Sequence, residues 1–143
     1  MKSFNTTMQI NASAENVWDI LINIAEWHQW NTTVENIEGS ASPGGKVTVR
    51  AKAMPERAFA LKVAEFVPNK LMVWSGGIPL GLFTGKRTYT LASAENNVTD
   101  FSMSENFSGL FAPLITRSIP DLQPSFDEFA KCLKQRAESA QAG

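Results

Sequence analysis

The spacing of apolar residues along this chain switches from period two to helical, back to period two, and finally to helical again, and that order leaves few folds open to it. Phe4, Thr6, Met8 and Ile10 alternate with Asn5, Thr7 and Gln9, the pattern of a strand with one buried face. Ser13 then precedes Ala14-Glu15-Asn16, which places an N-cap hydroxyl and a first-turn carboxylate where unpaired amides and the helix dipole favour them. Val17, Trp18, Leu21, Ile22 and Ala25 follow at three- and four-residue steps, so this helix has one apolar face, and a second short helical turn is expected over residues 26–30. Period two returns from about residue 33 and lasts to Phe107. From Leu110 the stripe Phe111, Leu114, Ile115, Ser118, Leu122, Phe126, Phe129 and Leu133 predicts one long amphipathic C-terminal helix. A sheet wrapped around that helix satisfies both patterns and encloses a pocket.

Turn chemistry divides the middle of the chain into six strands. Ser42-Pro43-Gly44-Gly45 joins strands predicted at 33–38 and 46–53, and Met54-Pro55-Glu56 makes the next turn. Phe59, Leu61 and Val63 alternate with Ala60, Lys62 and Ala64; Pro68-Asn69 ends that run, and the next strand is read at 71–75. Residues 76–81, with three glycines, read as a flexible loop, followed by strands at 82–92 and 98–107 around a turn at 94–96. With such short connections, consecutive strands pair as an antiparallel meander. In the last stretch Pro113 suits a first helical turn, whereas Pro120 and Pro124 would each remove an internal hydrogen bond, so a kink or break is expected near residues 118–121.

At 143 residues the chain makes one domain, 1–143, able to bury roughly 70% of its unfolded surface without metals or disulfides. A net charge of −1 with both signs interspersed provides no basic stripe for nucleic acid. The single cysteine, Cys132, permits no intrachain disulfide and is read as a buried small residue in a reducing compartment. No signal-like or membrane-spanning apolar run occurs in the sequence, which reads as soluble and cytoplasmic, without stable membrane insertion. The lone histidine, His28, has no companion at metal-ligand spacing, and there is no serine elbow or phosphate loop. No cofactor is expected.

The order of strand, helical pair ending Trp27-His28-Gln29-Trp30-Asn31, six-stranded meander and C-terminal helix resembles the START-like superfamily, in particular its polyketide cyclase/dehydrase branch. Val17-Trp18 with Leu21 is similar to that family's first helix, Gly44-Gly45 to its second hairpin, and Gly109-Leu110-Phe111 to its entry into the last helix. The resemblance covers essentially the whole chain. It implies an α+β helix-grip fold, in which a curved antiparallel sheet of about seven strands wraps a long C-terminal helix, with two short helices after the first strand. It also implies an apolar cavity between sheet and helix for a lipid, polyketide or other hydrophobic molecule. Members of the family include ligand carriers, aromatase/cyclases and co-chaperones.

Alternation places Phe83, Arg87, Tyr89 and Leu91 on one face of their strand, and Phe101, Met103, Glu105 and Phe107 on one face of the next. Arg87 and Glu105 therefore point inward, close enough for a charge-assisted pair that either stabilises the fold or anchors the polar end of a ligand. The expected lining is Trp30, Phe59, Leu61, Trp74, Phe83, Arg87, Tyr89, Met103, Glu105, Phe111, Leu114, Ser118 and Leu122. If there is catalysis, Tyr89, Arg87 and Glu105 are the candidates, with Arg87 expected to lower the Tyr89 pKa. Residues 76–81 and 107–114 read as an entrance lid. With no other polar catalytic set, the sequence favours binding of a small hydrophobic or amphipathic ligand by a monomer or weak homodimer. An aromatase/cyclase and an interaction module, whose cavity would be filled by its own aromatics, are the alternatives.

Overall fold

A computed structural model of the chain describes residues 3–55 and 58–142, with side chains described to residue 139. Strand β1 (Ser3–Ile10) leads through the Ser13 cap, whose hydroxyl accepts from the Asn16 amide at 3.2 Å, into helix α1 (Ala14–Ile22) and a 3-10 turn (Ile24–Gln29). Six strands follow: β2 (Val34–Gly39), β3 (Lys46–Ala51), β4 (Phe59–Val67), β5 (Leu71–Ile78), β6 (Phe83–Ala94) and β7 (Val98–Ser108). The chain ends in a short helix α2 (Ala112–Ile115), a 3-10 turn (Thr116–Ser118) and the long helix α3 (Gln123–Ala142). All seven strands form one antiparallel sheet in the order β1-β7-β6-β5-β4-β3-β2. Glu56 of the expected β3–β4 turn lies outside the described residues.

The sheet curls around α3, which packs along β1 and against α1. Two side chains of α3 are tied to the β1 backbone: Gln123 Nε2 donates to the Asn5 carbonyl at 2.7 Å and Lys134 Nζ to the Gln9 carbonyl at 3.0 Å. On the inner side, Phe126, Phe129 and Leu133 of α3 meet Ile10, Trp74, Tyr89, Phe101 and Met103 of the sheet and Trp27 of the 3-10 turn, all at most 2% exposed. Cys132 is buried.

Five expectations are corrected. The C-terminal segment is three pieces rather than one helix, and the break falls at 119–122, where Pro120 removes an amide. Pro124 lies in the first turn of α3, where its missing amide has no intrahelical partner to lose. The glycines at 76 and 77 are strand residues of β5, not loop: a Cβ at Gly76 would stand 2.8 Å from the Ala60 carbonyl oxygen, so their smallness serves close strand packing. Strand β3 ends at Ala51 rather than 53. Finally, a bulge between Val63 and Glu65 rephases β4. It turns Phe66 toward the core, where its ring meets Trp18 edge-on at 5.2 Å, and leaves Glu65 outside.

Candidate functional site

The inner face of the sheet carries a polar row amid apolar neighbours. Strand register sets Phe4 opposite Glu105, Glu105 opposite Arg87, and Arg87 opposite Trp74, with Tyr89 between Met103 and Met72 in the next inward row. Arg87 Nε donates to Glu105 Oε1 at 2.7 Å, and the guanidinium carbon stands 4.9 Å from the centre of the Phe126 ring. The two side chains remain 24% and 16% exposed, so the pair lies at the margin of the core, not in its middle. Burial works against the Arg87 charge, but Glu105 and, less strongly, the Tyr89 oxygen outweigh it and raise the guanidinium above its ordinary value.

Tyr89 behaves contrary to expectation. Its ring is fully buried, and loss of water pushes its hydroxyl up to about 12, outweighing the opposite pull of Arg87. At neutral pH it is a hydrogen-bond donor, not a base. Tyr89 Oη lies within reach of the Arg87 guanidinium, whose proton it can accept, but among the described residues neither its own O–H nor Trp74 Nε1, whose rings meet edge-on at 5.0 Å, finds an acceptor.

The interior that was expected to be a cavity is filled by the chain's own rings. Phe129 of α3 contacts Trp27, Trp30, Tyr89 and Phe101 at centroid separations of 5.3, 5.6, 6.1 and 6.2 Å, and Trp27 stacks on Trp74 at 5.7 Å. Of the residues predicted to line a pocket, Trp74, Tyr89, Met103 and Leu122 are buried in this packing, while Phe59, Leu61 and Phe83 are half-buried. Phe111, Leu114 and Ser118 lie outside, exposed, with the Ser118 hydroxyl donating to the Ile115 carbonyl. The sequence stripe contained Phe126 and Phe129 at helical spacing, but nothing in it distinguished rings that line a cavity from rings that occupy one.

Two clefts open away from this interior. One, of about 230 Å3, lies beside α1 with Trp30 and Arg136 in its wall. The other, of about 290 Å3, lies between the first 3-10 turn and β2. Among the described residues no group of three or more His, Cys, Asp or Glu side chains is placed to hold a metal ion.

The two segments read as a lid meet at one end of the sheet. The Leu110 amide donates to the Gly81 carbonyl at 3.1 Å and the Phe111 amide to the Leu82 carbonyl at 2.7 Å. Leu80, Leu110 and Leu114 project there, 93%, 74% and 66% exposed. Leu80 also has a positive φ of 66°, a conformation unfavourable for a residue with a Cβ; the turn at the other end of β6 meets the same demand with Asn96 and Asn97.

Comparison with known proteins agrees with the curled sheet and its gripped helix. The family of polyketide cyclase / dehydrase and lipid transport proteins matches residues 1–138. The chain belongs to this family. Among solved structures, a Streptomyces aromatase/cyclase superposes with a TM-score of 0.77 at 11% identity, covering 98% of this chain and 95% of its own. A START superfamily protein from Mycobacterium smegmatis gives 0.72 at 14% identity, with 96% and 98% covered. A hypothetical protein from Helicobacter pylori gives 0.76 at 12%, with 95% and 88% covered. At such identities the likeness is one of fold alone. No curated protein sequence matches the chain. Among the described residues no helix is long and apolar enough to cross a membrane.

Proposed function

We propose that this family member binds a small amphipathic molecule between the sheet and α3, its polar end held at Trp74, Tyr89, Arg87 and Glu105. The observation that carries this reading is the pair of buried donors, Trp74 Nε1–H and the Tyr89 O–H, left without an acceptor among the described residues beside the ion pair. A buried polar group without a hydrogen bond costs about 1–3 kcal/mol, and a carbonyl or carboxylate oxygen arriving between two such donors removes both costs. The apolar remainder of the ligand would displace aromatic and Met side chains that now fill the interior, with burial contributing about 25 cal/mol per Å2. The junction of residues 79–82 and 109–115 is the route of entry in this reading, since Leu80, Leu110 and Leu114 are exposed there.

Binding ranks ahead of catalysis in this reading because Tyr89 is a donor throughout the physiological range and the neighbouring Glu105 carboxylate is already paired with Arg87. The cyclase alternative keeps the same residues and asks Tyr89 to donate to an enolate oxygen. The interaction-module alternative is favoured by one observation, the filled interior combined with exposed leucines at the tip.

Native mass spectrometry of freshly purified protein against its denatured mass tests the proposal, followed by titration with a long-chain fatty acid and an aromatic polyketide. A reproducible extra mass, or saturable binding weakened at least tenfold by Trp74→Phe and Tyr89→Phe, supports it. A clean mass with no binding of either probe overturns it and moves the function to the tip. Turnover of the polyketide that is lost in Tyr89→Phe with binding retained selects the cyclase.

A further inference from the structure

The Trp27-His28-Gln29-Trp30-Asn31 motif sends its two tryptophan rings into the interior packing, while Trp27, His28 and Asn31 also line the second cleft. The turn closes when the Trp30 and Asn31 amides both donate to the Trp27 carbonyl, at 3.1 and 2.7 Å. Trp27 is then fixed by donation from its Nε1 to the Leu21 carbonyl at 3.0 Å. Asn31, 5% exposed, accepts at Oδ1 from both the amide and the hydroxyl of Thr33, at 2.9 and 2.6 Å. A backbone amide can only donate, so the orientation of the Asn31 carboxamide is set, and its Nδ2 is a buried donor without a partner among the described residues.

The opposite wall has been reshaped to match. Strand β2 is the edge of the sheet, and its register slips between Val34 and Asn36. The bulge makes Glu35 an extra residue, and along this edge strand the consecutive residues from Val34 to Ile37 all border the cleft. Bulges re-aim side chains beside binding sites. The rim supplies acceptors. His28 Nδ1 must carry a proton to donate to the Ala25 carbonyl at 3.0 Å, so the neutral ring presents Nε2 as an acceptor, and Glu35 adds a carboxylate. No Lys or Arg lines the cleft.

We infer that this cleft, of about 290 Å3, is a second binding site for a small neutral amide carried on an apolar body. Its carbonyl oxygen accepts from Asn31 Nδ2, its N–H donates to the rim acceptors, and its apolar part lies against Val34, Ile37 and Trp27. An anion finds no cation here and meets Glu35; a hydrocarbon leaves the Asn31 donor unpaired.

Benzamide is the probe, with benzoate and toluene as its charged and apolar isosteres, and the readout is 15N chemical shifts of the intact chain. The expected result is saturable movement of the Asn31 side-chain and Ile37 backbone signals, with a dissociation constant on the order of 1 mM for so small a ligand. Benzoate and toluene should bind at least tenfold more weakly. Asn31→Asp keeps the acceptor for Thr33 while removing the donor, and should weaken benzamide at least tenfold. Ala25→Phe, at an exposed position of the lining, fills the cleft without touching its hydrogen bonds and should abolish binding even if Asn31→Asp fails to fold. Absence of saturation, equal binding of the three probes, movement centred on Trp74 and Tyr89, or benzamide binding retained in Ala25→Phe overturns the inference.

Discussion

Arg87 shows how one side chain serves two purposes at the margin of a core. Its Nε satisfies Glu105, its face covers Phe126, and its charge lies within reach of the Tyr89 oxygen, so removing it exposes several debts at once. Deleting one partner of a fully buried pair costs about 3–5 kcal/mol; with 24% and 16% of the two side chains still in water, Arg87→Met should cost about 2 kcal/mol by urea unfolding. The double change Arg87→Met with Glu105→Met should recover most of that loss, because it removes the stranded carboxylate. A single change that is neutral would mean that Glu105 is solvated well enough to stand alone, and the row would lose its claim as a site. Strand alternation alone placed both residues on the inward face. Their environment was not legible: whether Tyr89 is made more or less acidic depends on how completely Phe129, Trp74 and Met103 exclude water from it, and no local pattern carries that.

At the scale of elements, α3 is held to β1 by polar bonds at both ends as well as by its apolar face. Near its C-terminal end Glu138 receives Lys134 Nζ from one turn earlier and the Asn11 amide, which follows β1, at 2.9 Å. Donation from Lys134, and next from the Asn11 amide, holds the Glu138 carboxyl below the usual carboxylate range. A depressed folded-state pKa means that this clamp stabilises the protein above the unfolded value, about 4.3, and is lost as pH falls through the folded one. Glu138→Gln should therefore lower stability by a small amount at neutral pH, partly screened by salt, and the difference from the natural chain should vanish in acid. A gap that is unchanged or wider in acid would show that the carboxylate charge is not what holds the helix end. The prolines of the preceding segment were read correctly as a break, yet Pro124 was read as a cost because the sequence does not mark where a new helix starts. The β4 bulge escaped notice for a similar reason: Glu65 and Phe66 exchange faces only because Met72 and Trp18 are there to receive a ring.

For the molecule as a whole, the decisive fact is that the gripped helix closes on a packed interior. Phe129 lies at its centre, touching four other rings, and Phe129→Ala should cost about 3–5 kcal/mol, lowering the Tm by roughly 10 °C in circular dichroism. A shift of only a degree or two would mean that the ring already borders empty space, and that a ligand could enter without displacing protein side chains. The sequence by itself determined the strand, helical pair, meander and final helix, and it determined which residues of β6 and β7 face inward, because period and turn chemistry are local properties of the backbone. Only the tertiary structure decided whether the inward face encloses a void or its own aromatics, since that is set by how side chains from the turn at 24–29, the sheet and α3 share one volume. The same holds for the cleft at Asn31: the motif is visible in the sequence, but that Thr33 fixes the orientation of its amide and that its Nδ2 finds no acceptor among the described residues are set by the packing around it.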